Sequence, residues 1–255
     1  MYQPYATIVL LANGAPEHLQ MAVHSLTLMQ TLPHIEILAL YGTWLSKQDP
    51  EHLEQCRSIL EAEALQDDRV QLIDSGNRQL ADCLNLALES ASGRYMGRMN
   101  GQDLSHPERI ETQTNMLERF AEVHTVATHR SSFDYQGEYP HRTVYRLCKK
   151  LSKYTKNSRI KPWHWLVFDL TTAMHRTEQL KQIGGWRAAF GPCPEYDLAF
   201  RLRQQGTVMA VLAEPLYLRR LPLAAPKPFL KHLYYGSKAF IRSYPRNRTS
   251  HTAES

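Results

Sequence analysis

The chain has 255 residues and no apolar run near the roughly 20 residues a membrane-spanning helix needs. Its mean hydropathy of −0.45 argues against a polytopic membrane protein. The start, Met1-Tyr2-Gln3-Pro4, lacks the basic and long apolar regions of a secretory signal. The expectation is a soluble cytoplasmic protein. Cysteine is scarce. Cys56, Cys83, Cys148 and Cys193 stand far apart, with no Cys-x-x-Cys pair. Neither a zinc site nor a disulfide framework is suggested, and reduced thiols are expected. Acid is missing from one region: none occurs between Arg219 and Glu254. The net charge of +5 suits an anionic partner but selects none.

What is present reads as alternating strands and helices. Thr7 to Ala12 is a continuous apolar run, broken by Asn13-Gly14-Ala15-Pro16. Leu19, Val23, Leu26 and Met29 then recur at helical spacing. Ile35 to Leu40 is a second buried strand, so the chain opens β-α-β with a right-handed crossover. A helix is expected from Pro50 to Ala64, a strand at Val70 to Ile73 and a helix from Leu80 to Ser90. The strand Tyr95 to Met99 leads into the polar turn Asn100-Gly101-Gln102-Asp103 and a helix over Pro107 to Glu122. Further strands are expected at Val123 to Thr128, Phe168 to Met174 and Val208 to Leu212, with Glu214-Pro215-Leu216 as the exit of the last. A short helix starts at Arg176, and another runs from Pro194 to Gln204 with Gly206 placed to cap it. The fold class is α/β, with a mostly parallel central sheet flanked by helices. The domain is expected to span residues 1–220. Residues 221–255 form a Pro-rich linker and a basic, apolar tail.

Several stretches, in order, resemble family 2 glycosyltransferases. Gly93 to Glu111, GRYMGRMNGQDLSHPERIE, resembles the family's metal-binding turn and the helix start after it. Leu28 to Leu40, Asn77 to Asn85, Arg176 to Trp186, Pro194 to Leu198 and Glu214 to Leu218 match further segments. The resemblance runs from about Thr7 to Leu218 and implies the GT-A (nucleotide-diphospho-sugar transferase) fold. That fold binds a nucleotide sugar at the carboxyl ends of its strands. The donor-binding positions it implies are Ala12, Asn13, Tyr41, Asn77, Arg98, Asn100, Gly101, Gln102 and Asp103.

The departures from the pattern carry information. The family ends its second strand with an acid, whereas Leu40 is followed by Tyr41-Gly42-Thr43, and Tyr41 could stack on a base instead. The family's Asp-x-Asp-Asp turn is here Asn100-Gly101-Gln102-Asp103. A hard divalent cation wants carboxylate oxygens. Only Asp103 of the four is ionised, so it is the candidate metal ligand. The resemblance then implies Mg²⁺ or Mn²⁺ at much reduced affinity, or a site that works without metal. The family's catalytic base aligns with Glu195, and Asp197 is the nearby alternative.

The implied activity is inverting transfer of a sugar from a nucleotide-sugar donor to a glycan or lipid-linked acceptor. Arg98, Arg142 or Arg146 would offset the leaving group's charge. The alternative is a relative that has lost catalysis and serves as a binding or assembly subunit. The tail mixes Lys231, Lys238 and Arg242 with Phe229, Leu233 and Phe240. That fits a helix lying on an anionic membrane surface, at the inner membrane, or one packed on the chain or on a second copy in a homodimer. Nucleic-acid binding through Arg142 to Lys161 and the tail lacks any recognition motif and is the weakest of the three readings.

Overall fold

Apolar runs with helix-spaced stretches between them fold here as a layered α/β structure. A computed structural model describes residues 4–46, 49–133, 170–191 and 194–220. Strands β1 (Ala6–Leu11), β2 (Ile35–Tyr41), β3 (Val70–Asp74) and β4 (Tyr95–Asn100) pair in parallel, in the order β3-β2-β1-β4. Helices α1 (Pro16–Thr27), α2 (Pro50–Gln66) and α3 (Leu80–Ser90) make the crossovers. Pro16 and Pro50 sit in the first turns of α1 and α2, where a missing N–H costs nothing. The carboxylate of Asp49 caps α2 by accepting from the amides of Glu51 and His52.

The largely apolar character of β1, in which Thr7 is the one polar residue, follows from burial on both faces. Ile8 and Leu10 pack with Leu19, Val23 and Leu26 of α1. Val9 and Leu11 pack with Leu80, Leu84 and Leu88 of α3 on the opposite side. All six residues of β1 are buried.

The second half is mixed. It adds β5 (Leu104–Ser105), α4 (Arg109–Arg119), β6 (Val123–Phe133), β7 (Met174–Arg176), α5 (Thr177–Gln182), α6 (Pro194–Gln204) and β8 (Val208–Arg220). The sheet order is β3-β2-β1-β4-β7-β6-β8-β5. β7 runs antiparallel to both β4 and β6, β6 and β8 are parallel, and β5 is antiparallel to β8. The parallel sheet expected from the sequence therefore describes the first four strands, and the rest combines both senses.

Three boundaries differ from expectation. The expected strand ending at Met174 is a 3-10 turn at Leu170–Thr172 followed by the short β7, and Phe168 lies outside the described residues. Helix α4 starts at Arg109, two residues after Pro107. Strand β8 does not stop at Leu212. Its register with β6 shifts between Thr128↔Leu212 and Arg130↔Tyr217, and pairing then resumes to Arg220. Pro215 falls in that irregularity, where a residue without an amide N–H is tolerated. Thr128 holds the irregular stretch: its hydroxyl donates to the carbonyl of Glu214 and accepts from the amide of Leu216. Gly206 ends α6 as expected, with φ +75° and its amide on the carbonyl of Arg203 at 2.8 Å.

Among the described residues no helix is long and apolar enough to cross a membrane. Cys56 and Cys83 are buried and unpaired, and burial pushes the Cys56 thiol up to about 11, which makes it a poor nucleophile. Cys148, Cys193, Arg142, Arg146 and the tail 221–255 lie outside the described residues.

One polar residue interrupts the apolar face of β2. Glu36 is buried and accepts from Thr7 Oγ1 at 2.5 Å, from the Ser92 amide at 3.1 Å and from Ser92 Oγ at 2.7 Å. It thus ties β1, β2 and the approach to β4 together at the amino end of the sheet. Glu36→Ala would strand these donors. We expect a loss of about 2 kcal/mol in unfolding free energy by urea titration. A change within about 0.5 kcal/mol would show that water replaces the carboxylate without cost.

Candidate active site

Four parallel strands deliver their carboxyl ends to one edge, the place where open α/β sheets bind ligands. Of the residues predicted for donor binding, Ala12, Asn13, Tyr41, Asn77 and Asn100 follow or end β1 to β4 at that edge. The Ala12 amide donates to the carbonyl of Leu40 at 2.8 Å, which closes β1 against β2. Asn13 Nδ2 donates to Asn100 Oδ1 at 3.3 Å, and Asn13 Oδ1 accepts from the Gly101 amide at 3.1 Å. Gly101 approaches β1 so closely that a Cβ would lie 2.8 Å from the carbonyl oxygen of Leu11. Gln102 lies against Gly14, which has φ +90°. Tyr41 is half-buried and packs on the core, while Asn77 is exposed beyond β3. Asp74, which sequence reasoning passed over, pairs in register with Tyr41 and brings a carboxylate to this edge. It accepts from the Gly76 amide at 2.8 Å.

Asp103 is 1% exposed. Its Oδ2 accepts from the Tyr217 hydroxyl at 2.7 Å and from Asn100 Nδ2 at 2.9 Å, and its Oδ1 accepts from the Arg220 amide at 2.9 Å. The Tyr217 oxygen accepts in turn from the Asn100 amide at 3.3 Å. Arg220 Nε also donates to the carbonyl of Gln102 at 3.1 Å. Below the turn, the fully buried Arg109 guanidinium stacks on the Tyr217 ring at 4.9 Å. It donates to the carbonyl of Arg98 at 3.0 Å and to Gln113 Oε1 at 3.2 Å. Burial lowers the Arg109 pKa to about 10, which leaves it charged at neutral pH. Burial, then the charge of Asp103, pushes the Tyr217 phenol up, so it remains a donor.

Two carboxylates stand at the head of α6, where the helix dipole favours negative charge. Glu195 is in ion-pair contact with Arg98 Nη2 of β4. Asp197 accepts from Arg201 Nε at 2.7 Å and lies 3.5 Å from Arg187 Nη1. Arg201 donates on to the carbonyls of Ile183 at 2.7 Å and Gly185 at 2.5 Å. Asp197 thus anchors the turn after α5, whereas Glu195 faces β4. His175 of β7 lies close by, with its Nδ1 2.9 Å from Thr125 Oγ1 and its ring edge-on to Trp186. Burial, and then the charge of Arg98, depresses its pKa to about 4.

The turn's residues do not fit a divalent cation. Both oxygens of Asp103 are taken by protein donors, and Asn100 Oδ1 already accepts from Asn13. Among the described residues no group of three or more His, Cys, Asp and Glu side chains is placed to hold a metal ion by protein ligands alone.

Residues 13–184, more than half of the chain, match the model for "Glycosyl transferase family 2". The chain belongs to that family. It is 41% identical over 71 residues to the Bacillus subtilis (strain 168) protein EpsE, which is named as a candidate glycosyltransferase; the match spans 28% of this chain and 26% of that one. Its fold resembles that of the mannosyltransferase PcManGT from Pyrobaculum calidifontis, solved with GDP-Man and Mn²⁺. The TM-score is 0.68 at 16% identity, over 95% of this chain and 65% of the other. It also resembles S. aureus TarS residues 1–349 solved with UDP, with a TM-score of 0.63 at 14% identity, over 93% of this chain and 65% of the other. The chain therefore spans somewhat less than two thirds of either solved neighbour. The likenesses to the solved structures identify the architecture as the GT-A fold.

The transferase motif around the turn was legible in sequence, but the bonding partners of its one acid were not. Tyr217 and Arg220 lie more than a hundred residues away, and only the matched segment Glu214 to Leu218 pointed toward them. No sequence signal singled out His175.

Two measurements follow. Tyr217→Phe keeps the ring under Arg109 but removes a donor to a buried carboxylate, and it should cost about 2 kcal/mol in chemical unfolding; no change would mean the bond contributes nothing net. His175 resists protonation when folded but not when unfolded, where its pKa is near 6.5. Stability should therefore fall as pH drops from about 6.5 toward 4, by up to about 3 kcal/mol from this residue. His175→Gln should flatten that limb, and an unaltered acid limb would contradict the assignment.

Proposed function

We propose that this glycosyltransferase moves a sugar from a nucleotide-sugar donor to a hydroxyl of a glycan or lipid-linked acceptor, with inversion at the anomeric carbon and Glu195 as the base. The observation that carries the reading is the place of Glu195. It is a buried carboxylate at the head of a helix, opposite the strand that leads into the donor turn, and it lines a cavity with Arg98. A carboxylate so placed can take a hydroxyl proton as the oxygen attacks. Asp197 is the poorer candidate, because both its oxygens face arginines.

No step is assigned to a metal. The bond to the anomeric carbon breaks with its electron pair leaving on the diphosphate, and that charge has to be met by cations. Arg98 is engaged with Glu195, so Arg142 and Arg146 are the proposed cations. PcManGT was solved with GDP-Man and TarS with UDP or UDP-GlcNAc, which supports a nucleoside-diphosphate donor here. The basic tail is proposed to rest on an anionic membrane surface, which would bring a lipid-linked acceptor to the site.

A second reading is favoured by one observation, the commitment of Asp103 to protein donors: a family member that keeps the fold as a binding or assembly subunit without catalysis. The two readings separate in one experiment. UDP, GDP, UDP-GlcNAc and GDP-mannose are screened by thermal shift and by turnover. We expect at least one to raise the melting temperature. Glu195→Gln should keep that shift while turnover falls at least a hundredfold. Transfer retained in Glu195→Gln would remove Glu195 as the base. Absence of any shift across the panel would favour the non-catalytic reading.

A further inference from the structure

Helix α2 follows the carboxyl end of β2, so it begins at the same edge of the sheet as the candidate site. Its first turn carries a side chain to which the site as described gives no part. The half-buried imidazole of His52 hydrogen-bonds through Nε2 to the carbonyl of Gly14, in the turn between β1 and α1. A carbonyl oxygen can only accept, so Nε2 carries the proton. In the neutral ring Nδ1 is then left to accept, and the Cys56 thiol, one helical turn on, lies 3.7 Å from it. Burial pushes that thiol up to about 11, so it keeps its proton and can donate to Nδ1. Both the tautomer and the direction of the ring are thus set from within α2.

The backbone that His52 holds lies against the turn Asn100 to Asp103. Gly14 has φ +90°, and a Cβ there would lie 2.7 Å from Gln102 Oε1. Asn13, the residue before it, accepts from the Gly101 amide at 3.1 Å and donates to Asn100 Oδ1 at 3.3 Å. The carbonyl of Leu11 accepts from the amides of Asn13 and Gly101, each at 2.7 Å. The turn after β1 is therefore joined to residues 100–102 and, through the Gly14 carbonyl, to α2. Glycine has the widest backbone freedom of any residue. A side-chain bond to its carbonyl fixes the peptide that follows it, and with it the path of the chain on which Asn13 sits.

We infer that His52 is a positioning residue of the donor site: by holding the Gly14 carbonyl it sets the turn from which Asn13 reaches Asn100 and Gly101. The inference rests on the proposed reading that a nucleoside-diphosphate donor binds at this edge, and it adds α2 to the elements that shape the site. His52 acts through the backbone of Gly14, not by contact with the donor. The role asks for an N–H at the place of Nε2 and not for a charge. A glutamine amide can present one at nearly the same reach, and alanine cannot.

The test compares the full chain with His52→Ala and His52→Gln. Affinity for UDP and GDP is measured by calorimetry well below each melting temperature, so that lost stability alone does not enter. We expect His52→Ala to weaken the nucleotide that the parent binds by about fivefold or more, the scale of one net hydrogen bond. His52→Gln should restore the affinity to within about twofold of the parent. Amide hydrogen exchange gives a readout that needs no ligand. The Gly101 amide should exchange faster in His52→Ala while the amides of β2 and β3 keep their rates. Faster exchange spread evenly over the sheet would mark a merely structural contact and overturn the role. A parent that binds a nucleotide which His52→Ala binds equally well would remove His52 and leave the donor reading standing. A parent that binds neither UDP nor GDP would overturn the donor role together with the proposed function.

Discussion

The carboxylate of Asp103 lies inside the protein, and a charge taken out of water has to be answered by donors. The answer comes from three directions: the Tyr217 hydroxyl, the Arg220 amide and Asn100 Nδ2. Tyr217 also lies against Arg109, and Arg109 holds the carbonyl of Arg98. One connected set of bonds therefore fixes the turn Asn100 to Asp103, strand β8, the first residue of α4 and the strand that faces Glu195. A change at any member reaches the others, because a half-satisfied buried network is worse than none. The site's geometry depends on this set more than on the local conformation of the turn.

The same set explains how the turn differs in chemistry from the Asp-x-Asp-Asp pattern it resembles. With Asn100 and Gln102 neutral, one negative charge remains, and it is spent on the fold. Asn13 and Asn100 bond to each other across the mouth of β1 and β4. Neutral amides can both give and accept, so Asn13 and Asn100 join the ends of β1 and β4 directly. The two carboxylates of α6 divide similarly. Asp197 works through Arg201 to fasten the turn after α5. Glu195 is left facing Arg98 and a cavity.

How much of this could be read beforehand varied along the chain. The parallel half was legible because β1 and β2 are apolar on both faces and the helices between them have clear periodicity. Glu36 hid in an apolar run because its partners, Thr7 and Ser92, are distant in sequence. The mixed half was less legible. β7 is three residues long, too short for a periodic signal, and β8 runs past a proline that reads as a stop. The place of the candidate site in the fold, at the end of β4 and the head of α6, was legible from the segments around Asn100 to Asp103 and Glu195. The allocation of their charges was not, because it depends on Tyr217, Arg220 and Arg98 meeting them in space. Asp74 was missed for a simpler reason: at the end of β3 it looked like ordinary turn chemistry.

The central claim is that Asp103 serves the fold and does not hold a metal. It is tested most directly by nucleotide-diphosphate binding to the full chain, by calorimetry with UDP and GDP, in Mn²⁺ and again in chelator. The account predicts affinities that agree within about twofold in the two conditions. Affinity at least tenfold higher in Mn²⁺, with the gain lost in Asp103→Asn, would contradict it.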